Sequence, residues 1–108
     1  MTVSEMVQKL ELISFCMPEG DREITGGYAG DLLSWVMGRA TAGDAWVTIM
    51  SNVNIVAVAT LADPSCIVLS EGVEPDADAL AKAQAMGINV LGSKKDTFSL
   101  CADIALLI

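Results

Sequence analysis

Four short stretches with no charged residue, near 12–17, 45–50, 66–70 and 88–91, alternate along the chain with segments whose apolar side chains recur at helical spacing. Uncharged runs of this length are typical of strands buried on both faces, and their alternation with helices implies parallel pairing through crossovers. The expected fold is therefore α/β: one three-layer α/β/α domain over residues 1–108, with a mostly parallel four-stranded sheet.

The intervening segments support this reading. Val3, Met6, Val7 and Leu10 share one helix face, and Leu32, Leu33, Val36, Met37 and Ala40 predict a helix from Tyr28 to Ala40 that leaves through a left-handed cap at Gly43. Between the second and third runs, Val53, Ile55, Val56 and Val58 are β-branched and favour a strand locally. A parallel crossover, however, needs about a dozen residues and is usually helical. With Ser51 or Asn52 as an N-cap and Pro64 as a stop, a helix is expected there. Pro75 to Met86 has Pro early, Asp76 and Asp78 in the first turn and Gly87 just past the end, all signs of a helix. In the final segment, Thr97 to Ile108, Phe98, Cys101, Ile104, Ala105 and Ile108 align, and the last four residues are apolar almost all round. Such an end either docks on the core or meets another subunit.

Composition narrows the function classes. Six Lys plus Arg against fourteen Asp plus Glu give a net charge of −8, which repels nucleic acid and anionic membranes. No apolar run reaches the roughly 18 residues of a membrane span. The chain has no histidine, so the commonest neutral-pH base, the Ser-His and Cys-His pairs and most zinc sites are missing. Cys16, Cys66 and Cys101 lack CxxC spacing and sit among apolar neighbours, as reduced core thiols of a cytoplasmic protein do. The N-terminal residues have neither a basic region nor an apolar core of a secretory signal. No metal or cofactor is expected.

In a parallel α/β sheet, ligands bind at the carboxyl ends of the strands, where loops run into helix N-termini. Four loops are expected there: Pro18 to Gly27, Ser51 to Asn54, Ser70 to Glu74 and Gly92 to Asp96. Arg22, Lys94 and Lys95 fall within them. The candidate ligand-binding residues are Asp21, Arg22, Thr25, Gly26, Gly27, Asn54 and Lys94, with the Thr25 to Gly27 amides at a helix start and Arg22 and a lysine as counter-charges for a phosphate or carboxylate. The blander reading is that these are ordinary solvated turn residues, Asp21 fixing its own turn. Neither GxGxxG nor GxxxxGK[ST] occurs. Trp35 and Trp46 read as core or interface aromatics.

The stretch Asp21-Arg22-Glu23-Ile24-Thr25-Gly26-Gly27 resembles the signature of the DRTGG domain family. Residues 45–49, 54–59, 71–75 and 87–91 resemble its later segments. The resemblance implies an α/β/α fold similar to the N-terminal domain of HPr kinase/phosphorylase and to the uridine-nucleotide-binding domain of muramyl ligases, without a catalytic centre. It also implies a regulatory or interface module of the kind found between CBS domains in some pyrophosphatases or attached to phosphotransacetylases, where such domains tend to dimerise.

Two functions are expected from these observations. One is a non-enzymatic regulatory domain that self-associates, docks to a protein partner and senses a nucleotide or phosphorylated small molecule near Asp21 to Gly27. The other is a structural dimerisation or adaptor module without a small ligand. An enzyme using Asp21 and Thr25 would lack an evident base.

Overall fold

The computed structural model describes residues 1–108 as five helices around one five-stranded sheet. The elements run α1 (Val3–Leu10), β1 (Ile13–Cys16), β2 (Gly26–Ala29), α2 (Leu33–Arg39), β3 (Asp44–Thr48), α3 (Asn54–Ala62), β4 (Cys66–Leu69), α4 (Ala77–Met86), β5 (Val90–Gly92) and α5 (Thr97–Leu107). Strand order is β1-β5-β4-β3-β2, with β2 to β5 parallel and β1 antiparallel to β5. The α/β class and the three layers agree with the sequence reading. The sheet has one strand more than the four predicted.

Alternation along the central strands assigns each residue to a layer. Trp46, Ile67, Leu69 and Val90 pack under α2, α3 and α4 through Val36, Ile55, Val56, Val58, Ala59, Ala79 and Ala83. Ala45, Val47, Cys66, Val68 and Leu91 face the other way, under Val3 and Met6 of α1 and Leu100 and Ile104 of α5. Three successive crossovers thus lie on one face, and helices from the two ends of the described chain form the other. Every residue of β3, β4 and β5 is buried, which is why those runs carry almost no charge.

The crossover between β3 and β4 is helical as predicted, its β-branched residues facing the core. It ends at Asp63 in the left-handed conformation (φ 60), just before Pro64. Helix α4 ends on Gly87 (φ 73), where a residue without Cβ is favoured.

The region around the paired glycines departs from expectation. Gly26, Gly27, Tyr28 and Ala29 form β2, an edge strand against β3, and α2 starts only at Leu33. The predicted helix from Tyr28 is thus a strand, a short connection and a seven-residue helix. Gly43 (φ 90) is not the cap of α2, which ends at Ala40 in extended conformation; it turns the chain into β3. Gly26 needs no positive φ. Its constraint is space, because a Cβ there would lie 2.7 Å from the carboxylate of Asp44, which accepts the Thr41 amide.

Candidate functional site

The direction of β1 decides which loops share a rim. Because β1 runs against the other strands, the loop that follows it, Pro18 to Thr25, lies at the amino ends of the parallel strands. Arg22 confirms this position: its Nη2 donates to the backbone oxygen of Asp63 at 2.7 Å and lies 2.8 Å from Asp63 Oδ1, in the turn entering β4. Ser65, in the same turn, donates its hydroxyl to the Glu23 carbonyl. Asn89, just before β5, accepts from the Glu19 amide at 2.9 Å and donates to the carbonyls of Glu19 and Ser65 at 2.8 and 2.9 Å.

The seven predicted binding residues therefore divide between two ends of the molecule. Asp21, Arg22 and Thr25 are at the amino rim, and Gly26 and Gly27 start β2 there, so the paired glycines do not open a helix toward the carboxyl-end crevice. Thr25 gives its amide to the carbonyl of Gly43 at 3.0 Å. Asn54 and Lys94 are at the carboxyl rim, Asn54 as the first residue of α3 and Lys94 in the connection that leaves β5. With β4 between β3 and β5, the connections that leave those two strands are about 10 Å apart. Arg22 works as a structural tie. Arg22→Ala is expected to lower stability by about 1 kcal/mol, the range for a partly exposed ion pair that also bonds a helix-end carbonyl. Urea denaturation measures this, and an unchanged midpoint would count against the tie.

The carboxyl rim consists of the connections at 30–32, 49–53, 70–76 and 93–96. The Asp31 carboxylate fixes the first to the second, accepting from Thr48 Oγ1 at 2.8 Å and the Ile49 amide at 2.9 Å. The connection from β4 turns toward α4 on one face, and that from β5 turns toward α5 on the other. Adjacent strands whose connections part to opposite faces open a crevice between them, the usual ligand position in sheets of this kind. A cleft of about 290 Å³ lies there, with Ile13, Phe15 and Val73 as its apolar wall and Gly72, Glu74, Ser93 and Lys94 as its mouth. Its frame is well tied: the amides of Glu71 and Gly72 donate to the carbonyls of Lys95 and Ser93, and the Ser70 and Thr97 hydroxyls are 2.6 Å apart.

Charges along this rim are largely spoken for. The Glu71 carboxylate accepts the Thr97 amide at 2.9 Å, and Asp96 caps Ser99 at 3.0 Å, so α5 receives its own anions at its N-terminus. The hydrogen bonds from the Ser99 side chain and backbone hold the Asp96 carboxyl below the usual range. Lys95 is paired with Asp103, whose hydrogen bond raises the lysine above its ordinary value. Lys94 forms no ion pair and stands exposed beside the cleft. Of this cleft's lining, Lys94 is among the candidate residues and Gly72 to Glu74 and Ser93 lie in predicted loops; Ile13 and Phe15 were not foreseen, because the pairing of β1 with β5 that brings them to this rim has no local signal.

A second exposed cluster surrounds β2. On the α2 side, Tyr28, Leu32, Trp35 and Arg39 line a groove of about 510 Å³, with the Arg39 guanidinium 3.7 Å above the Trp35 ring. On the α5 side, Gly27, Ala29, Ala45, Ile104 and Ile108 line one of about 340 Å³. The three thiols are free; burial raises Cys16 and Cys101 and pushes Cys66 up to about 12. No cluster of three or more Cys, Asp or Glu side chains is arranged to hold a metal, and no helix is long and apolar enough to cross a membrane.

These features define a small α/β/α module with a ligand-sized crevice on its carboxyl rim. The chain belongs to the DRTGG domain family, whose model matches residues 30–107. The match begins just beyond the Asp21 to Gly27 stretch. Among solved structures, the fold is similar to that of the CBS and DRTGG domains of the regulatory region of Clostridium perfringens pyrophosphatase, solved in complex with its activator diadenosine tetraphosphate (TM-score 0.71, 14% identity). The alignment covers 94% of this chain and 44% of that one, so the present chain spans less than half of its neighbour's length. No curated protein matches the chain.

Proposed function

We propose that this chain is a non-catalytic regulatory domain that senses a nucleotide or other phosphorylated small molecule in the crevice between the ends of β4 and β5, and that it self-associates and passes the signal to a protein partner. The observation that carries the sensing reading is the unpaired Lys94 beside a cleft with an apolar wall, at the point where the connections part to opposite faces. An ammonium there attracts a phosphate, and the ring of Phe15 with Ile13 and Val73 offers surface to the body of the ligand. The nucleotide activator bound to the similar pyrophosphatase regulatory region makes nucleotides the first ligands to try. In a cytoplasmic setting the three thiols would stay reduced.

Calorimetric titration with adenosine mono- and triphosphate, diadenosine tetraphosphate and sugar phosphates tests the sensing role. Binding is expected for at least one, weakened about tenfold or more by Lys94→Ala and unchanged by Arg22→Ala at the opposite rim. No heat from any of them at millimolar concentration would leave the second reading, a dimerisation or adaptor module without a ligand. That reading is favoured by the exposed apolar side chains around β2, among them Leu32, Trp35 and Ile108.

A further inference from the structure

We infer that the surface joining two copies of this chain is the free edge of β2 with the grooves on either side of it; this rests on the self-association proposed above and assigns its place. The sheet has two edges, and they differ in how they are guarded. At the β1 edge the pairing register shifts between Ser14 and Cys16, and Pro18 follows the strand; bulges and prolines are common protections against edge-to-edge pairing. Strand β2 pairs with β3 on one side and with nothing on the other, and Gly26 to Ala29 contain no proline, charge or bulge.

Charge selects the occupant. Two chains of net charge −8 repel each other, and only a surface poor in carboxylates lets them meet. From Ile24 to Gly43 there is one acidic residue, Asp31, and its carboxylate is already bonded to Thr48 and Ile49; residues 104–108 have none. The surface that surrounds β2 is therefore acid-poor; α3 also lacks carboxylates but offers no open strand edge. A strand in antiparallel register with its own copy is self-complementary, so a two-fold axis perpendicular to the sheet extends it to ten strands. The same axis sets α2 beside its copy on one face and the end of α5 beside its copy on the other. Trp35, half-exposed and carrying Arg39 on its ring, then sits near the centre of the contact, where tryptophan, tyrosine and arginine are enriched.

Sedimentation equilibrium of the whole chain in 0.15 M salt, between about 1 and 100 µM, tests the assignment. The wild type is expected to have twice the 11.3 kDa chain mass at the upper end, with association strengthened by added salt. Trp35→Glu, on the α2 side, and Ala105→Glu, at an exposed position on the α5 side, should each weaken it at least tenfold, whereas Phe98→Glu, at the far end of α5, should leave it unchanged. Circular dichroism establishes that each variant is folded, and protection from exchange of the Ala29 amide, which points to the free edge, should rise with protein concentration. A wild type that stays monomeric removes self-association and this interface together. A dimer that survives both Trp35→Glu and Ala105→Glu, with the Ala29 amide unprotected, leaves self-association standing and overturns the β2 assignment, as does a dimer lost equally with Phe98→Glu.

Discussion

Trp46→Ala is expected to destabilise the chain by about 3–5 kcal/mol, the range for removing a large buried aromatic. Trp46 is fully buried in the middle of β3, between the layer of α2 and α3 and the strands on either side. Its indole Nε1 donates to the carbonyl of Gly30 at 3.0 Å, so the ring also anchors the chain as it leaves β2. Domains of this size are stable by only about 5–15 kcal/mol, so such a loss leaves the fold marginal at 37 °C. Chemical denaturation followed by circular dichroism reads the effect. Trp46→Phe separates its two parts, since it retains most of the packing and leaves the Gly30 carbonyl without its donor, for about 1–2 kcal/mol. A loss below about 1 kcal/mol for the alanine variant would mean that the core does not depend on this ring.

The second large effect is expected for Asn89→Leu. Asn89 is buried, and its amide makes three hydrogen bonds that tie the loop after β1 to the turn before β4. Leucine is close in size but bonds none of them, so the Glu19 amide and the Ser65 carbonyl lose their partner at once, and the Glu19 carbonyl keeps only the Arg22 amide. A buried polar group left unsatisfied costs about 1–3 kcal/mol, and some regain water at the loop, so a total of about 2–4 kcal/mol is expected. Hydrogen exchange should show the loosening first at residues 18–23, with the carboxyl rim still protected. Uniform loss of protection over the whole sheet would show that Asn89 supports the core itself and not the loop.

How far the fold was legible follows from which signals are local. The apolar runs of β3 and β4 have no alternative reading once their lack of charge is noted, and α4 carries its own start and stop in Pro75 and Gly87. The helix α3 was readable against the preference of its β-branched residues, because a parallel crossover allows little else there. Strand β2 was not. Glycine has low strand propensity, and Gly26 and Gly27 with Tyr28 and Ala29 make no alternating pattern; they form a strand because β3 supplies hydrogen bonds and Asp44 leaves no room for a side chain at Gly26. The site was half legible for a related reason. Lys94 follows a buried run and so was placed at a strand end, at the correct rim. Arg22 also follows one, but nothing in residues 12–17 tells which way that strand runs, and reversing it moves the next loop to the other end of the molecule.

The packing of α1 against α5 has a further consequence for how such a unit can be used. The first residues of α1 bond the loop at the amino rim, and α5 runs back from the carboxyl rim to bring Ile108 beside Gly27, near that same end. Entry and exit of the polypeptide are thus at one pole of the molecule. A unit wired this way can be spliced into a larger protein like a bead on a short loop of string, leaving its opposite pole unobstructed.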